Sequence, residues 1–279
     1  MSQAKAPFSS LARVYDAIFA DVEYDDWADF SLSVLLELGW LETQEGLTML
    51  DLACGTGSSS LPYAQRGFVV SGADMSLDML CVARAKLPNT EFYHQNFLEL
   101  DIPQRFNLIT CVFDSLNNLL ELADLEQTLE RVKAHLLPNG VFVFDCNTPL
   151  GVTDLWEDNE FAGEVQLTDG SAHYHWTHQT QWRIAGLGKN DQIGAADYHW
   201  THQMPTETLG EVTAHIWIMD DQGALQEEFH EIHLERGYTP SQLETALKKA
   251  GFLETHFAEY PDGAAITEQT PRFWGFARA

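Results

Sequence analysis

Between Leu47 and Asn147 short apolar runs alternate with amphipathic stretches of helix length, and that alternation restricts the fold more than any other feature of the chain. Strands separated by helices build βαβ units and a parallel sheet. The runs are Thr48–Leu52, Phe68–Ala73, Glu91–Gln95, Phe106–Phe113 and Val141–Asp145, five strands in all. The spacing between them predicts helices over Ser58–Arg66, Ser76–Lys86 and Asp124–Leu137, the last stopped by Pro138-Asn139-Gly140. Further on, Pro240–Ala250 reads as a helix with Thr239 as N-cap and Gly251 as its stop, followed by strands over Phe252–Tyr260 and Phe273–Ala277. That helix and closing hairpin extend the sheet to seven strands.

Two regions depart from the pattern. Phe8–Phe19 and Tyr24–Leu38 carry apolar residues at helical spacing, which predicts a helical cap, residues 1–46, at the open end of the site. From Gly151 to Tyr238 the texture changes to strict alternation, as in Tyr174-His175-Trp176-Thr177-His178 and Thr213-Ala214-His215-Ile216-Trp217-Ile218, the mark of antiparallel hairpins. The segment YHWTHQ occurs there twice, at Tyr174–Gln179 and Tyr198–Gln203; two copies are too few for a stacked solenoid. The fold expected is α/β: a Rossmann-like, seven-stranded, mostly parallel sheet over 47–150 and 239–279, a helical cap over 1–46 and an antiparallel β insertion over 151–238.

Charge narrows the partners. With 42 acidic residues against 15 Lys plus Arg the net charge is -27, and the only adjacent basic pair is Lys248-Lys249. Polyanions are repelled by such a surface, so nucleic acid and anionic membranes are disfavoured. Cys54, Cys81, Cys111 and Cys146 form no C-x-x-C pair, which leaves reduced thiols as the expectation. No apolar run is long enough to span a membrane, and Met1–Ser10 lacks the apolar core of a signal peptide, so a cytoplasmic protein is expected.

The chemistry resides in Leu50-Asp51-Leu52-Ala53-Cys54-Gly55-Thr56-Gly57, an acidic residue at a strand end followed by a small-residue loop directly before a helix. In open α/β sheets a ligand binds beyond the carboxyl ends of the strands, and glycines let the backbone approach it. Asp74 ends the second strand, where a carboxylate can accept both ribose hydroxyls of an adenosine cofactor. A dinucleotide brings a diphosphate, which wants helix N-terminal amides and no neighbouring anion. Asp51 instead suits the ammonium and sulfonium of S-adenosylmethionine, and Ser60 stands where G-x-G-x-x-G requires its third glycine.

On these residues the chain resembles the class I S-adenosylmethionine-dependent methyltransferases, whose first motif is an acidic residue followed by G/A-x-G-x-G. The likeness covers Leu47–Asn147 and the C-terminal hairpin, while Leu11–Asp16 and Cys111–Asn118 resemble a bacterial subgroup of small, mostly uncharacterised members. The resemblance implies that Gly55 and Gly57 approach the methionine moiety, that Asp74 binds ribose, and that Met75 packs on adenine; Asp51 and Ala53 of the same motif are also expected to bind the cofactor. It places Asn96 where the family usually has Asp for the adenine amino group, with Phe97 beside the base, and turns Phe113 and Asp114 toward the methyl group. Transfer from a sulfonium is an in-line displacement in which the protein chiefly aligns the partners. If the acceptor is an amine or hydroxyl, Asp114, Tyr15 or Tyr24 is the base expected.

The function expected is methyl transfer to a small-molecule acceptor. The alternatives are an RNA or protein methyltransferase, an S-adenosylmethionine-binding protein without transferase activity, and a nicotinamide-dependent oxidoreductase. His173, His175, His178, His199, His202, His230 and His233 suggest metal, but alternation puts His173 and His175 on one face and His178 on the other, so no metal site is expected. Trp176, Trp182, Trp200 and Trp217 are expected to fill the core of the insertion, which follows the fifth strand and so covers the acceptor site or forms a homodimer contact.

Overall fold

The computed structural model describes residues 3–41, 45–156, 160–167, 169–183 and 207–279. Five of the expected strands become β2 (Thr48–Leu52), β3 (Val69–Asp74), β4 (Glu91–His94), β5 (Phe106–Cys111) and β6 (Leu136–Asn147), joined at the chain's end by β11 (Glu254–Ala258) and β12 (Arg272–Arg278). They form one seven-stranded sheet in the order β11-β12-β6-β5-β2-β3-β4. Only β12 runs against its neighbours, pairing antiparallel with both β6 and β11. The chain order reverses between β2 and β5, so the loops after those strands open into a shared crevice.

Alternate residues feed two cores. Leu50, Leu52, Ile109, Cys111, Phe142 and Phe144 pack with Leu125, Leu129 and Val132 of helix α5 (Leu122–His135) and with Leu243 and Leu247 of helix α7 (Pro240–Ala250). Met49, Leu108, Val141, Val143 and Phe276 face the other way, against Phe30, Leu32 and Leu35 of helix α2 (Tyr24–Glu37) and Tyr63 of helix α3 (Ser60–Gln65). Each such Leu or Phe contributes about 1.5–3 kcal/mol on burial. Local signals agree at α7, where Thr239 and Gln242 form a reciprocal capping box and Gly251 closes the helix at φ 93. Helix α4 (Leu77–Lys86) begins likewise at Ser76, whose hydroxyl accepts the Met79 amide.

A second, five-stranded sheet stands over the crevice, with β7 (Glu160–Leu167), β8 (Gly170–Arg183), β9 (Glu207–Met219) and β10 (Leu225–Arg236) antiparallel in sequence. Its far edge is not part of the 151–238 stretch: β1 (Gln3–Lys5) runs parallel to β10, an addition that three residues of sequence do not announce. The other departures have identifiable causes. The insertion opens with a helix, α6 (Pro149–Trp156), where alternation was expected; Pro149 starts it and the Thr148 hydroxyl caps the Gly151 amide. Phe8–Phe19 is not one helix. Phe8 takes a left-handed conformation (φ 57), a 3-10 turn covers Ser10–Arg13, and α1 (Tyr15–Ile18) is a single turn. The Glu231 carboxylate accepts the amides of Phe8 (2.7 Å) and Leu11 (2.9 Å), which fixes that segment against β10.

The second YHWTHQ copy, with His199, His202 and Trp200, lies outside the described residues, as do the side chains of His178 and Trp182. On the outer face of the second sheet His175, His215 and His230 stand opposite one another across three strands, with the last two rings stacked at 5.4 Å. Stacked rings do not converge on a metal, and among the described residues no three His, Cys, Asp or Glu form a metal cluster. The four cysteines are free. No helix among the described residues is long and apolar enough to cross a membrane.

Candidate functional site

The crevice beyond β2, β3 and β5 is a cleft of about 700 Å³, closed above by the inner face of the second sheet and at one side by residues 6–24. Its floor is built where the chain accepts strained backbone. Ala53 (φ 59), Phe113 (φ 61) and Asp114 (φ 50) are left-handed although none is glycine, and all three line the cleft. Left-handed non-glycine residues concentrate at sites where surrounding structure holds them for a purpose. Gly55 (φ 52) faces open space, with nothing within 4 Å of where a Cβ would point. Gly57 (φ 79) is absent from the lining; a Cβ there would meet Ala83 and Leu87 at 3.4 Å, so it seats α4 against the loop.

Asp74, at the tip of β3, is half-buried in the cleft and accepts the Gly55 amide at 2.8 Å and the Ser76 amide at 2.7 Å. Burial raises the carboxyl above the usual aspartate range, against the backbone amides that bind it. Asp51 differs from expectation. It is fully buried, and Ser59 (2.7 Å), Ser60 (2.6 Å) and Thr110 (3.1 Å) donate their hydroxyls to it, so its side chain does not reach the cleft. The carboxylate at this strand end organises the loop instead. Met75, Asn96, Phe97, Phe113, Asp114, Tyr15 and Tyr24 do line the cleft. Asn96 also braces its own loop, its carbonyl accepting the Glu99 amide at 2.8 Å.

The opposite end is acidic and aromatic. Asp114 lies beside Asn147, whose side-chain nitrogen donates to Asp114 Oδ2 (2.9 Å) and to Glu235 Oε2 (3.3 Å) of β10. Burial lifts both carboxyls, Glu235 furthest because the charge of Asp114 adds to the rise there, while at Asp114 the nearby Arg272 opposes it. Arg272 is pinned to the fully buried Asp145 (2.6 Å) and lies over the rings of Trp27 (5.1 Å) and Phe113 (5.7 Å). Tyr15 and Tyr24 share a hydrogen bond, and burial pushes both phenols upward. Trp176 lines the cleft, edge-on to Phe19, so it is not core filler alone; Trp217 points to the outer face.

Glu235, Asn147, Arg272, Glu231 and His233 were not singled out by sequence for this site, because strands far apart in the chain bring them in. One local signal existed. Asn117, in the Asp114–Asn118 stretch, accepts the Asn147 amide (3.0 Å) and donates to the carbonyls of Asn147 (2.9 Å) and Arg236 (2.7 Å), tying the tip of β5 to β6 and β10.

Residues 49–140 match the family model described as a methyltransferase domain. A putative methyltransferase of Geobacillus sp. (strain WCH70) is 32% identical over 174 residues, which cover 61% of this chain and 68% of the relative. The chain belongs to the S-adenosylmethionine-dependent methyltransferases. This methyltransferase is also similar to the dTDP-3-amino-3,6-dideoxy-alpha-D-glucopyranose N,N-dimethyltransferase of Streptomyces fradiae, 38% identical over 98 residues, 35% of this chain and 38% of that one. Its fold is that of an S-adenosylmethionine-dependent methyltransferase from Clostridium acetobutylicum ATCC 824, with a TM-score of 0.71 and 24% identity over 96% of this chain and 97% of the other.

The chemistry of the cleft suits that cofactor. Among the described residues no Lys or Arg lines it, which leaves a diphosphate without a counter-charge, whereas Asp74, Asp114 and Glu235 suit a ligand bearing cationic nitrogen and sulfur.

Proposed function

We propose that this methyltransferase acts on a small-molecule acceptor held between the strand tips and the inner face of the second sheet. The observation that carries this is the cleft itself: lined by Tyr15, Phe19, Tyr24, Phe113 and Trp176, with no Lys or Arg among the described residues that line it, within a chain of net charge -27. Such a hollow matches a compact ligand better than a polyanion. The sugar N,N-dimethyltransferase among its relatives supports a small acceptor.

In this proposal residues 47–150 with 239–279 bind the cofactor, 1–46 cap it, and 151–238 form the lid over the acceptor. Ala53 and Gly55 present backbone to the methionine part, Asp74 receives the ribose hydroxyls, and Met75, Asn96 and Phe97 surround the base. Asp51 keeps the loop in shape through Ser59, Ser60 and Thr110, and Gly57 lets α4 approach. The bound cofactor supplies an electrophilic methyl on a good leaving group, so the protein's task is alignment and proton handling. For the proton, Asp114 is favoured over the tyrosines. The raised phenols of Tyr15 and Tyr24 stay protonated at neutral pH and serve as hydroxyl donors and ring surface.

The test is calorimetry with S-adenosylmethionine and S-adenosylhomocysteine, paired with counting of labelled methyl groups transferred to a small-molecule metabolite extract and to bulk RNA. Saturable binding with label in the metabolites is expected. Label in RNA, with none in the metabolites, would overturn the proposal.

A further inference from the structure

Glu231, His233 and Glu235 follow one another two residues apart on the inner face of β10, and side chains so spaced stand about 6–7 Å apart in a row. Glu231 is already occupied by the amides of Phe8 and Leu11. His233 is not. It is 6% exposed, lines the cleft against Phe8 (ring centroids 4.6 Å), and neither ring nitrogen has a hydrogen-bond partner among the described residues. Its Nε2 lies 3.4 Å from Glu231 Oε2 without hydrogen-bond alignment. Leaving a polar atom unmet at such burial is costly, so the ring calls for a ligand group.

Which group follows from the neighbours. A neutral imidazole offers one donor and one acceptor, which a hydroxyl satisfies together. Carboxylates on either side of His233 along the strand, Glu231 and Glu235, oppose an anion. Glu235 lies beside Asp114: the two carboxyls share the side-chain nitrogen of Asn147, at 3.3 and 2.9 Å. Two carboxyls in such contact hold one proton between them and keep one negative charge. Arg272, the nearest cation, is committed to Asp145. With Arg272 offset by Asp145, the pair leaves a net negative charge beside the rings of Phe113, Tyr15 and Tyr24.

We propose that the methyl acceptor is an amino alcohol, its nitrogen received by the Asp114–Glu235 pair and its hydroxyl held by His233. This builds on the placement of a small acceptor in the cleft. An amine is largely ammonium at neutral pH and has no free electron pair. The carboxylate pair accepts one N–H proton; the freed nitrogen pair forms the N–C bond as the C–S bond breaks, and those electrons return to sulfur, turning the sulfonium into a neutral thioether. The product leaves as an N-methylammonium, and the carboxyl pair gives its extra proton to water.

Binding can be measured without turnover. The full chain, saturated with S-adenosylhomocysteine, is titrated with amino alcohols (glucosamine, 3-amino-3-deoxyglucose, 3-aminopropanol), with glucose as the hydroxyl-only probe and cyclohexylamine as the amine-only probe. At least one amino alcohol should bind more tightly than either single-function probe. Glu235→Gln should weaken every amine roughly tenfold or more. His233→Phe should weaken the amino alcohol roughly tenfold and leave cyclohexylamine unchanged, and His233→Asn, which restores a donor and an acceptor, should recover part of the loss. Retained S-adenosylhomocysteine binding shows that each variant is folded. If no amino alcohol binds, if glucose matches them, or if neither variant changes their affinity, the proposal is wrong. In that event saturable S-adenosylhomocysteine binding and methyl transfer to some other metabolite leave the small-molecule methyltransferase reading intact.

Discussion

The two ends of the cleft are made in different ways. At the cofactor end, Ala53, Gly55 and Asp74 belong to two consecutive strand-to-helix turns, and the hydrogen bond from Gly55 to Asp74 spans only 19 positions. At the proposed acceptor end, Asp114, Asn147, Glu235 and Arg272 come from the loop after β5 and from β6, β10 and β12, and the bond from Arg272 to Asp145 spans 127 positions. A parallel sheet places its strand tips in one layer, so a cofactor site can be encoded by short motifs. An acceptor site assembled from an inserted sheet depends on pairing that only the folded chain supplies.

If that contrast holds, the acceptor end should respond to mutation mainly through stability and the cofactor end mainly through binding. The largest effect is expected from Arg272→Leu, which leaves Asp145 charged and unpaired inside the fold; a loss of about 3–5 kcal/mol should appear in urea denaturation. A loss within one kcal/mol would mean that Asp145 takes up a proton or that water reaches it. Next comes Asp74→Ala, expected to weaken S-adenosylmethionine binding roughly 100-fold through the loss of charge-assisted hydrogen bonds while the melting temperature moves little. Unchanged calorimetric affinity would remove Asp74 from the site and erase the contrast.

Acidity offers a third way to separate the ends. Glu235 is raised by burial and by Asp114, so the folded chain holds a proton that the unfolded chain gives up near pH 4.5. Between that pH and the elevated folded value the native state binds more protons, and stability falls as pH rises, with a slope of up to about 1.4 kcal/mol per pH unit for one proton. Thermal melts from pH 5 to 8 should show this decline in the wild type and a flatter profile in Glu235→Gln. Parallel profiles would mean that the pair does not hold the proton. The smallest effect belongs to Thr239→Ala, which removes one arm of the capping box at α7 and should cost about 1 kcal/mol with no change in either ligand's affinity.

Sequence periodicity located all seven strands of the main sheet, because five alternate with stretches of helix length and two form a hairpin after α7. It also located the Gly55 loop and Asp74, where conformation and charge are set by near neighbours. It misplaced Asp51: a carboxylate before a glycine loop looks the same in sequence whether it faces a ligand or three hydroxyls, and Ser59, Ser60 and Thr110 decide which. It read Phe8–Phe19 as one helix because apolar spacing carries no trace of Glu231, which takes two of that segment's amides from more than 200 positions away. His233 and Glu235, two apart on a strand, share a face, but spacing does not tell which face is covered, and the partner of Glu235 is fixed only when β10 meets the loop after β5.

The clasp at Phe8 has an evolutionary corollary. Its amide is held by Glu231 of the lid and its carbonyl by the Ser76 hydroxyl at the head of α4, so one peptide unit couples the acceptor wall to the cofactor wall. Peptide groups carry no side-chain identity. Drift at position 8 can replace the ring without loosening the coupling, and glycine or asparagine would adopt its left-handed backbone more easily. Proline, which lacks the amide hydrogen and cannot hold a positive φ, would disconnect the two walls and take the Phe8 ring from His233 as well.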